Sequence, residues 1–133
     1  MANVLRKEHM RYLLVVGSRG FHNYTLLSIY LDKCINEKKD ICIVSGGAKG
    51  ADELAKQYAI SHKLEYKKFK ADWKTYGKSA GYRRNEEMHK FISENNRERK
   101  VIAFWDGKSK GTQHNFELAK KYNNQIFVVR YAE

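Results

Sequence analysis

Two hydrophobic periods alternate along this chain. Arg11 to Val16 (RYLLVV) is a short apolar run stopped by Gly17, the pattern of a strand buried on both faces of a parallel sheet. Leu26, Leu27, Ile29, Tyr30, Leu31 and Ile35 follow at helical spacing. Ile41 to Val44 predicts a second strand, ended by Ser45-Gly46-Gly47, and Ala51 to His62 a helix with Leu54, Ala55, Tyr58 and Ala59 on one face. Leu64 to Phe69 alternates as a strand does, with Lys67, Lys68 and Lys70 interspersed. Residues 71–79 read as a polar loop, and Ala80 to Glu94 as a helix with Met88, Phe91 and Ile92 inward. Val101 to Trp105 is a fourth strand, Gly111-Thr112 opens a helix running through Lys121, and Ile126 to Val129 is a last strand. Strands alternating with helices predict a parallel sheet with helices on both faces. Right-handed crossovers put every strand-to-helix loop along one edge of such a sheet, and ligands of open α/β sheets bind at that carboxyl edge.

Six of the nine glycines fall in those loops: Gly17 after the first strand, Gly46, Gly47 and Gly50 after the second, Gly107 and Gly111 after the fourth. The segment Ser45-Gly46-Gly47-Ala48-Lys49-Gly50-Ala51-Asp52 leaves a strand and enters a helix. Glycines let backbone N–H groups approach a ligand closely, and a helix start favours a phosphate; a tight turn needing glycine explains the same letters. It is not a Walker A loop, since no Lys-Ser/Thr follows Gly50, nor a dinucleotide fingerprint, since it trails the second strand. Asp52 either ties this loop by accepting N–H bonds or contacts a ribose hydroxyl. In Asp106-Gly107-Lys108-Ser109-Lys110-Gly111-Thr112, Thr112 either caps the next helix or holds a phosphate oxygen. Two such loops suggest two walls of one pocket for an anion.

Arg84 and Asn85 sit in the first turns of the helix that starts at Ala80. A cation is poorly placed there with respect to the helix dipole, and arginine suits bidentate contact with phosphate; a solvated basic turn is the plainer account. Trp73 either stacks on a base or covers the sheet edge. Ser18 and Arg19, after Gly17, lie where the first strand ends. Of the five histidines no two are spaced as a metal pair, so neither a metal nor another cofactor is expected.

Length and charge narrow the picture. A chain of 133 residues with 42% apolar residues predicts one domain over 1–133, with 1–10 as a loose N-terminal segment. The purely apolar run Tyr12 to Val16, which no other exceeds in length, is far too short to cross a bilayer, and no signal-peptide pattern precedes it. Cys34 and Cys42 suit buried thiols in a reducing cytoplasm. The net charge is +11, and residues 61–100 hold twelve Lys/Arg against six Asp/Glu. Such a field attracts polyanions from nucleotides to nucleic acid.

Taken in order, Gly17-Ser18-Arg19, Ser45 to Asp52, Ala71-Asp72-Trp73, Ala80-Gly81-Tyr82-Arg83-Arg84-Asn85 with Met88, and Phe104-Trp105-Asp106-Gly107 with Ser109 and Gly111-Thr112 resemble the YspA/YpsA-related branch of the SLOG superfamily, from about residue 11 to 130. The resemblance implies a Rossmann-like three-layer sandwich with a mostly parallel five-stranded sheet. It also implies a nucleotide, NAD or ADP-ribose-derived ligand held by the two glycine loops, sensed, sequestered or hydrolysed at its N-glycosidic bond. The relatives include the LOG phosphoribohydrolases and the DNA-processing protein A group. The second of these makes single-stranded nucleic acid the alternative partner, an alternative that the charge and the aromatic residues among lysines (Tyr66, Phe69, Trp73, Tyr76, Tyr82) also favour. Implied catalytic residues are Arg84, Glu117 and Asp52. Implied ligand contacts are Gly17, Ser18, Arg19, Ser45, Gly46, Gly47, Gly50, Asp52, Trp73, Arg84, Asn85, Asp106, Ser109, Gly111 and Thr112. The chain departs from the LOG pattern after Thr112, where His114 or Asn115 stands at the expected glutamate and Glu117 comes close to a full turn later. Pairing into a homo-oligomer is a further expectation from the resemblance.

Overall fold

The computed structural model describes residues 10–35, 40–94 and 98–132. Five strands form one sheet: β1 (Arg11–Gly17), β2 (Ile41–Ser45), β3 (Glu65–Lys68), β4 (Arg99–Trp105) and β5 (Ile126–Arg130). Their order is β3-β2-β1-β4-β5, and every pairing is parallel. The helices are α1 (Tyr24–Cys34), α2 (Ala51–Ser61), the single turn α3 (Trp73–Tyr76), α4 (Ala80–Glu94) and α5 (Lys110–Lys121). The result is the expected Rossmann-like α/β sandwich. Among the described residues no helix is long and apolar enough to cross a membrane.

Successive strand residues face opposite sides of the sheet, and each side has its own core. Leu13, Val15, Ile41, Ile43, Ile102 and Phe104 face α1 and α2, where Leu27, Leu31, Ala55, Tyr58 and Ala59 meet them. Leu14, Val16, Val44, Val101 and Ala103 face the opposite side, with Met88 and Ile92 of α4. Burying each such aliphatic side chain contributes roughly 1.5–3 kcal/mol before entropy is counted. Met10, the first described residue, is buried in the second core; residues 1–9, the rest of the expected loose segment, lie outside the described residues. Ala51, Ala55 and Ala59 recur every fourth residue, so α2 shows the sheet a stripe of small side chains and approaches β1 closely. Tyr58 is fully buried on the same helix and donates its hydroxyl proton to Asp32 Oδ1 of α1 at 2.6 Å. Tyr58→Phe is expected to lower the unfolding free energy by about 1 kcal/mol in a denaturant titration, because a polar partner is lost while the ring stays packed.

Residues 71–79 are not a plain loop. Asp72 caps α3, its Oδ1 accepting from the Thr75 amide at 3.1 Å, and a 3₁₀ turn over Gly77–Ser79 leads into α4. These seven residues bury no side chain, so they carry no hydrophobic period to read. Elsewhere the element ends shift by a few residues: β4 begins at Arg99, and β3 narrows to Glu65–Lys68.

Candidate functional site

Strand order reverses at β1, whose neighbours are β2 on one side and β4 on the other. The chain leaves the carboxyl ends of β1 and β4 into different loops, which parts the backbone there. A cavity of about 430 Å³ occupies the gap. Its wall from β1 is Val16 to Gly20; α2 and its preceding loop supply Asp52 and Ala48. Arg84, Asn85 and Met88 come from α4, and Asp106, Ser109, Gly111, Thr112 and Asn115 from the β4–α5 segment. Trp73, Lys78 and Tyr82 complete the lining.

Arg84 is fixed by two contacts. Its Nη1 donates to the Gly46 carbonyl at 2.8 Å and its Nε to Asn85 Oδ1 at 3.1 Å. A Cβ on Gly46 would come within 2.7 Å of Nη1, so the glycine is what lets the guanidinium lie on the loop. Burial pushes the Arg84 guanidinium below its ordinary value, with Asp52 opposing and Arg19 reinforcing the shift.

Asp52 ties the loop, one of the two roles open to it from the sequence. It is 7% exposed, and its Oδ2 accepts from the Ala48 amide at 3.1 Å. Burial raises its carboxyl to about 6, although the Ala48 amide, Arg84, the Gly46 amide and Arg19 all favour the charged form. The glycine loop therefore spends amide donors on its own carboxylate, leaving fewer for a ligand phosphate. Asp106 behaves in the opposite sense. The amides of Ser109 and Lys108 donate to its Oδ1 at 2.7 and 2.8 Å, and they hold the carboxyl below the ordinary range. The Asp106 amide in turn donates to Ser18 Oγ at 3.3 Å, which fastens the β1 and β4 loops together.

The α5 side offers hydroxyls. Ser109 Oγ and the buried Thr112 Oγ1 are 3.2 Å apart at the start of the helix, where amide N–H groups have no intrahelical partner. Behind them runs a buried polar chain. Asn115 Nδ2 donates to the Gly111 carbonyl at 3.2 Å, and its Oδ1 meets His89 Nε2 at 3.0 Å. His89 Nδ1 meets Asn124 Nδ2 at 3.1 Å, and Asn124 Oδ1 accepts from Ser93 and Arg99. An amide donor at Nδ1 and an amide acceptor at Nε2 suit the neutral imidazole with its proton on Nε2. Burial accordingly lowers His89 to about 4. The sequence signal for this polar chain is that Asn85, His89 and Ser93 recur every fourth residue of α4 and mark an inward polar stripe.

Of the residues expected at the site, Gly17, Ser18, Arg19, Asp52, Trp73, Arg84, Asn85, Asp106, Ser109, Gly111 and Thr112 line this one cavity. Gly46 and Gly47 line an adjoining hollow that shares Arg84. Gly50 packs against the Ser18 and Arg19 carbonyls, and Ser45 is buried with its hydroxyl 2.5 Å from that of Tyr66. Glu117 is exposed on α5 and lines neither space. Two residues past Asn115 is about 200° around a helix, so a side chain at that position turns away from the face Asn115 shows to the cavity. The catalytic role expected of Glu117 does not fit that placement. Asn115, Met88, Ala48 and Lys78 also line the cavity, beyond the ligand contacts expected from the sequence.

Fold and cavity together define a small Rossmann-like protein with a ligand-sized, cation-rich cleft at the reversal of strand order. Comparison with known proteins gives the family: a model of the YspA, cpYpsA-related SLOG family matches residues 11–76, and the chain belongs to that family. The Gene 61 protein of Mycobacterium phage D29 is 32% identical over 118 residues, covering 84% of this chain and 90% of the phage protein. Among solved structures, DNA processing protein A from Helicobacter pylori, studied for its single-stranded DNA binding mode, superposes with a TM-score of 0.69 at 20% identity. That alignment covers 96% of this chain and 68% of that one. DNA processing protein A from Streptococcus pneumoniae gives 0.64 at 19% identity over 96% of this chain. The chain spans only about half (53%) of its length.

Proposed function

We propose that this protein binds a phosphate-bearing nucleotide-type ligand, of the nucleoside monophosphate, NAD or ADP-ribose class, in the cavity at the carboxyl edge of the sheet. The observation that supports it most is the convergence of Arg84, Asp52 and the Ser109–Thr112 helix start on one space of nucleotide size. Arg84 and the Thr112 side take the phosphate, where a guanidinium and unpaired helix amides favour an anion. Asp52 and Asn85 face the ribose or base with acceptor oxygens and an amide. Trp73, half exposed at the rim, offers a ring for stacking. If the bound ligand is cleaved, the step is N-glycosidic, with Asp52 the cavity carboxylate nearest in kind to an oxocarbenium stabiliser.

Isothermal titration with the four nucleoside monophosphates and NAD, at 50 and 200 mM salt, tests this reading. Arg84→Ala is expected to weaken the best of these ligands roughly thirtyfold, about 2 kcal/mol for a lost charge-assisted contact. Chromatography of the mixture for free base then separates a hydrolase from a receptor. Equal affinity in wild type and Arg84→Ala rejects the site.

A second reading has its own support. The exposed rings of Trp73, Tyr76 and Tyr82 lie among Lys74, Lys78 and Arg83, with the Arg83 guanidinium 4.3 Å over the Tyr76 ring. Stacking platforms among cations suit a single strand, and the Helicobacter pylori protein of like fold binds single-stranded DNA. Affinity for a blocked-end oligonucleotide that falls by orders of magnitude between those two salt concentrations favours this reading over a pocket ligand.

A further inference from the structure

A second hollow of about 370 Å³ adjoins the first and shares Arg19, Ala48, Trp73 and Arg84 with it. Its remaining cations are Lys49, Lys68 and Lys70, and no carboxylate lines it. The first cavity, by contrast, contains both Asp52 and Asp106. We propose that this basic hollow is a second anion subsite, and that the ligand is a nucleotide with two or more phosphates, its distal phosphate lying among Arg19, Lys68, Lys70 and the near edge of Arg84. The nucleotide half of this statement rests on the function proposed above; the anion subsite stands on its own geometry.

That geometry is built into the backbone. Lys68 ends β3 and pairs in register with Ser45 at the end of β2, which carries it to the mouth of the glycine loop. The Phe69 amide donates to the Ser45 carbonyl at 2.9 Å and prolongs the pairing past the strand. A Cβ on Gly47 would come within 2.3 Å of Lys68 Cε, as one on Gly46 would meet the Arg84 guanidinium. The two adjacent glycines are thus the surfaces on which two cationic side chains lie. Strand alternation sends Lys67 the other way, where its ammonium sits 5.1 Å over the Phe69 and Phe91 rings. Lys68 and Lys70, two residues apart, share the side that lines the hollow. Positive charges gathered without a carboxylate repel one another, and an anion relieves that repulsion. Arg84 stands in the wall between the two spaces, able to contact phosphates on either side through its guanidinium fork.

The test is a titration of the full chain with inorganic pyrophosphate at constant ionic strength, followed by tryptophan fluorescence, since Trp73 lines both spaces. It is repeated on the double variant Lys68→Gln/Lys70→Gln, whose exposed substitutions leave the fold intact by circular dichroism. Saturable pyrophosphate binding is expected, about tenfold weaker in the double variant. The second arm compares each nucleoside 5′-diphosphate with its monophosphate. A preference of about tenfold for the diphosphate is expected in wild type, falling to about one in the double variant. Pyrophosphate affinity unchanged by the substitutions, or nucleotide binding whose diphosphate preference is absent or survives them, overturns the proposal. A blocked-end oligonucleotide that outcompetes the diphosphate overturns it in favour of a strand. Lysine-dependent pyrophosphate binding without any nucleotide binding keeps the subsite and rejects the function proposed above, so the two fail separately.

Discussion

Gly50→Ala is expected to lower the melting temperature by more than about 10 °C, whereas Gly111→Ala leaves it unchanged or slightly raised. Gly50 is the residue before α2 and has φ +82° and ψ −128°, a region that an L side chain enters only under strain of about 1–2 kcal/mol. A Cβ there would stand 2.4 Å from the Ser18 carbonyl oxygen and 2.6 Å from that of Arg19. Both are backbone atoms, so no side-chain rotation relieves the collision. Ser18 is tied to its neighbours, its amide donating to the Phe104 carbonyl at 2.9 Å and its carbonyl accepting from Phe21 at 3.1 Å. Moving it disturbs β1, β4 and the stacked pair Phe21–Phe104 together. Strain and displacement sum to about 3–4 kcal/mol, and each kcal/mol shifts the melting temperature by roughly 3–5 °C at this chain length. Gly111 lies in the first turn of α5 with open space where its Cβ would be, so alanine there gains helix propensity and meets nothing. Equal melting curves for the two variants, read by circular dichroism, reject the claim that the β1 and β2 loops are in contact at Gly50. That contact also sets the cavity wall, because Ser18 and Arg19 are its members from β1.

The same contact shows where the sequence was informative and where it was silent. The alternation of apolar runs announces five strands and four main helices, because each run carries one or the other period over enough residues to be read. Glycines after strands one, two and four locate the carboxyl edge, and with it most of the cavity wall. The letters do not say which backbone groups remain free. From sequence, the Ser45–Asp52 loop reads either as amides waiting for a phosphate or as amides tied by Asp52; in the fold Asp52 takes the Ala48 amide, and Arg84 takes the Gly46 carbonyl. Such pairings join residues four and thirty-eight positions apart, and only the second depends on the placement of α4 against β2. Glu117 lies away from the cavity for a local reason, its position on the helix circumference two residues past Asn115. The basic hollow was beyond counting. It exists because β3 lies beside β2, and that adjacency is a property of sheet order.

The stability of Asp52→Asn relative to wild type should increase with pH. The wild-type carboxyl sits at about 6 in the fold against an ordinary 3.8, because burial disfavours its charged form. An acid raised on folding binds its proton more tightly in the native state, so its favourable contribution is complete below pH 4. That contribution is lost as pH rises through 6. Two units correspond to about 3 kcal/mol. Asparagine keeps an oxygen to accept from the Ala48 amide and does not titrate. The quantity to measure is therefore the variant's unfolding free energy minus that of wild type, from urea titrations at pH 4 and pH 7.5. It is expected to rise by about 2 kcal/mol between them. The difference matters because His89 titrates in the same window with the opposite sign. Its value falls from 6.5 to about 4 on folding, so its contribution is lost as pH drops. His89 is present in both proteins and cancels. Asp106, held below its ordinary value, titrates under that window and cancels as well. A flat difference would mean that Asp52 meets water in solution, and a falling one that Arg84 and Arg19 need its charge more than burial opposes it. Either result removes the buried acid from the cavity and leaves its anion-binding side to stand alone.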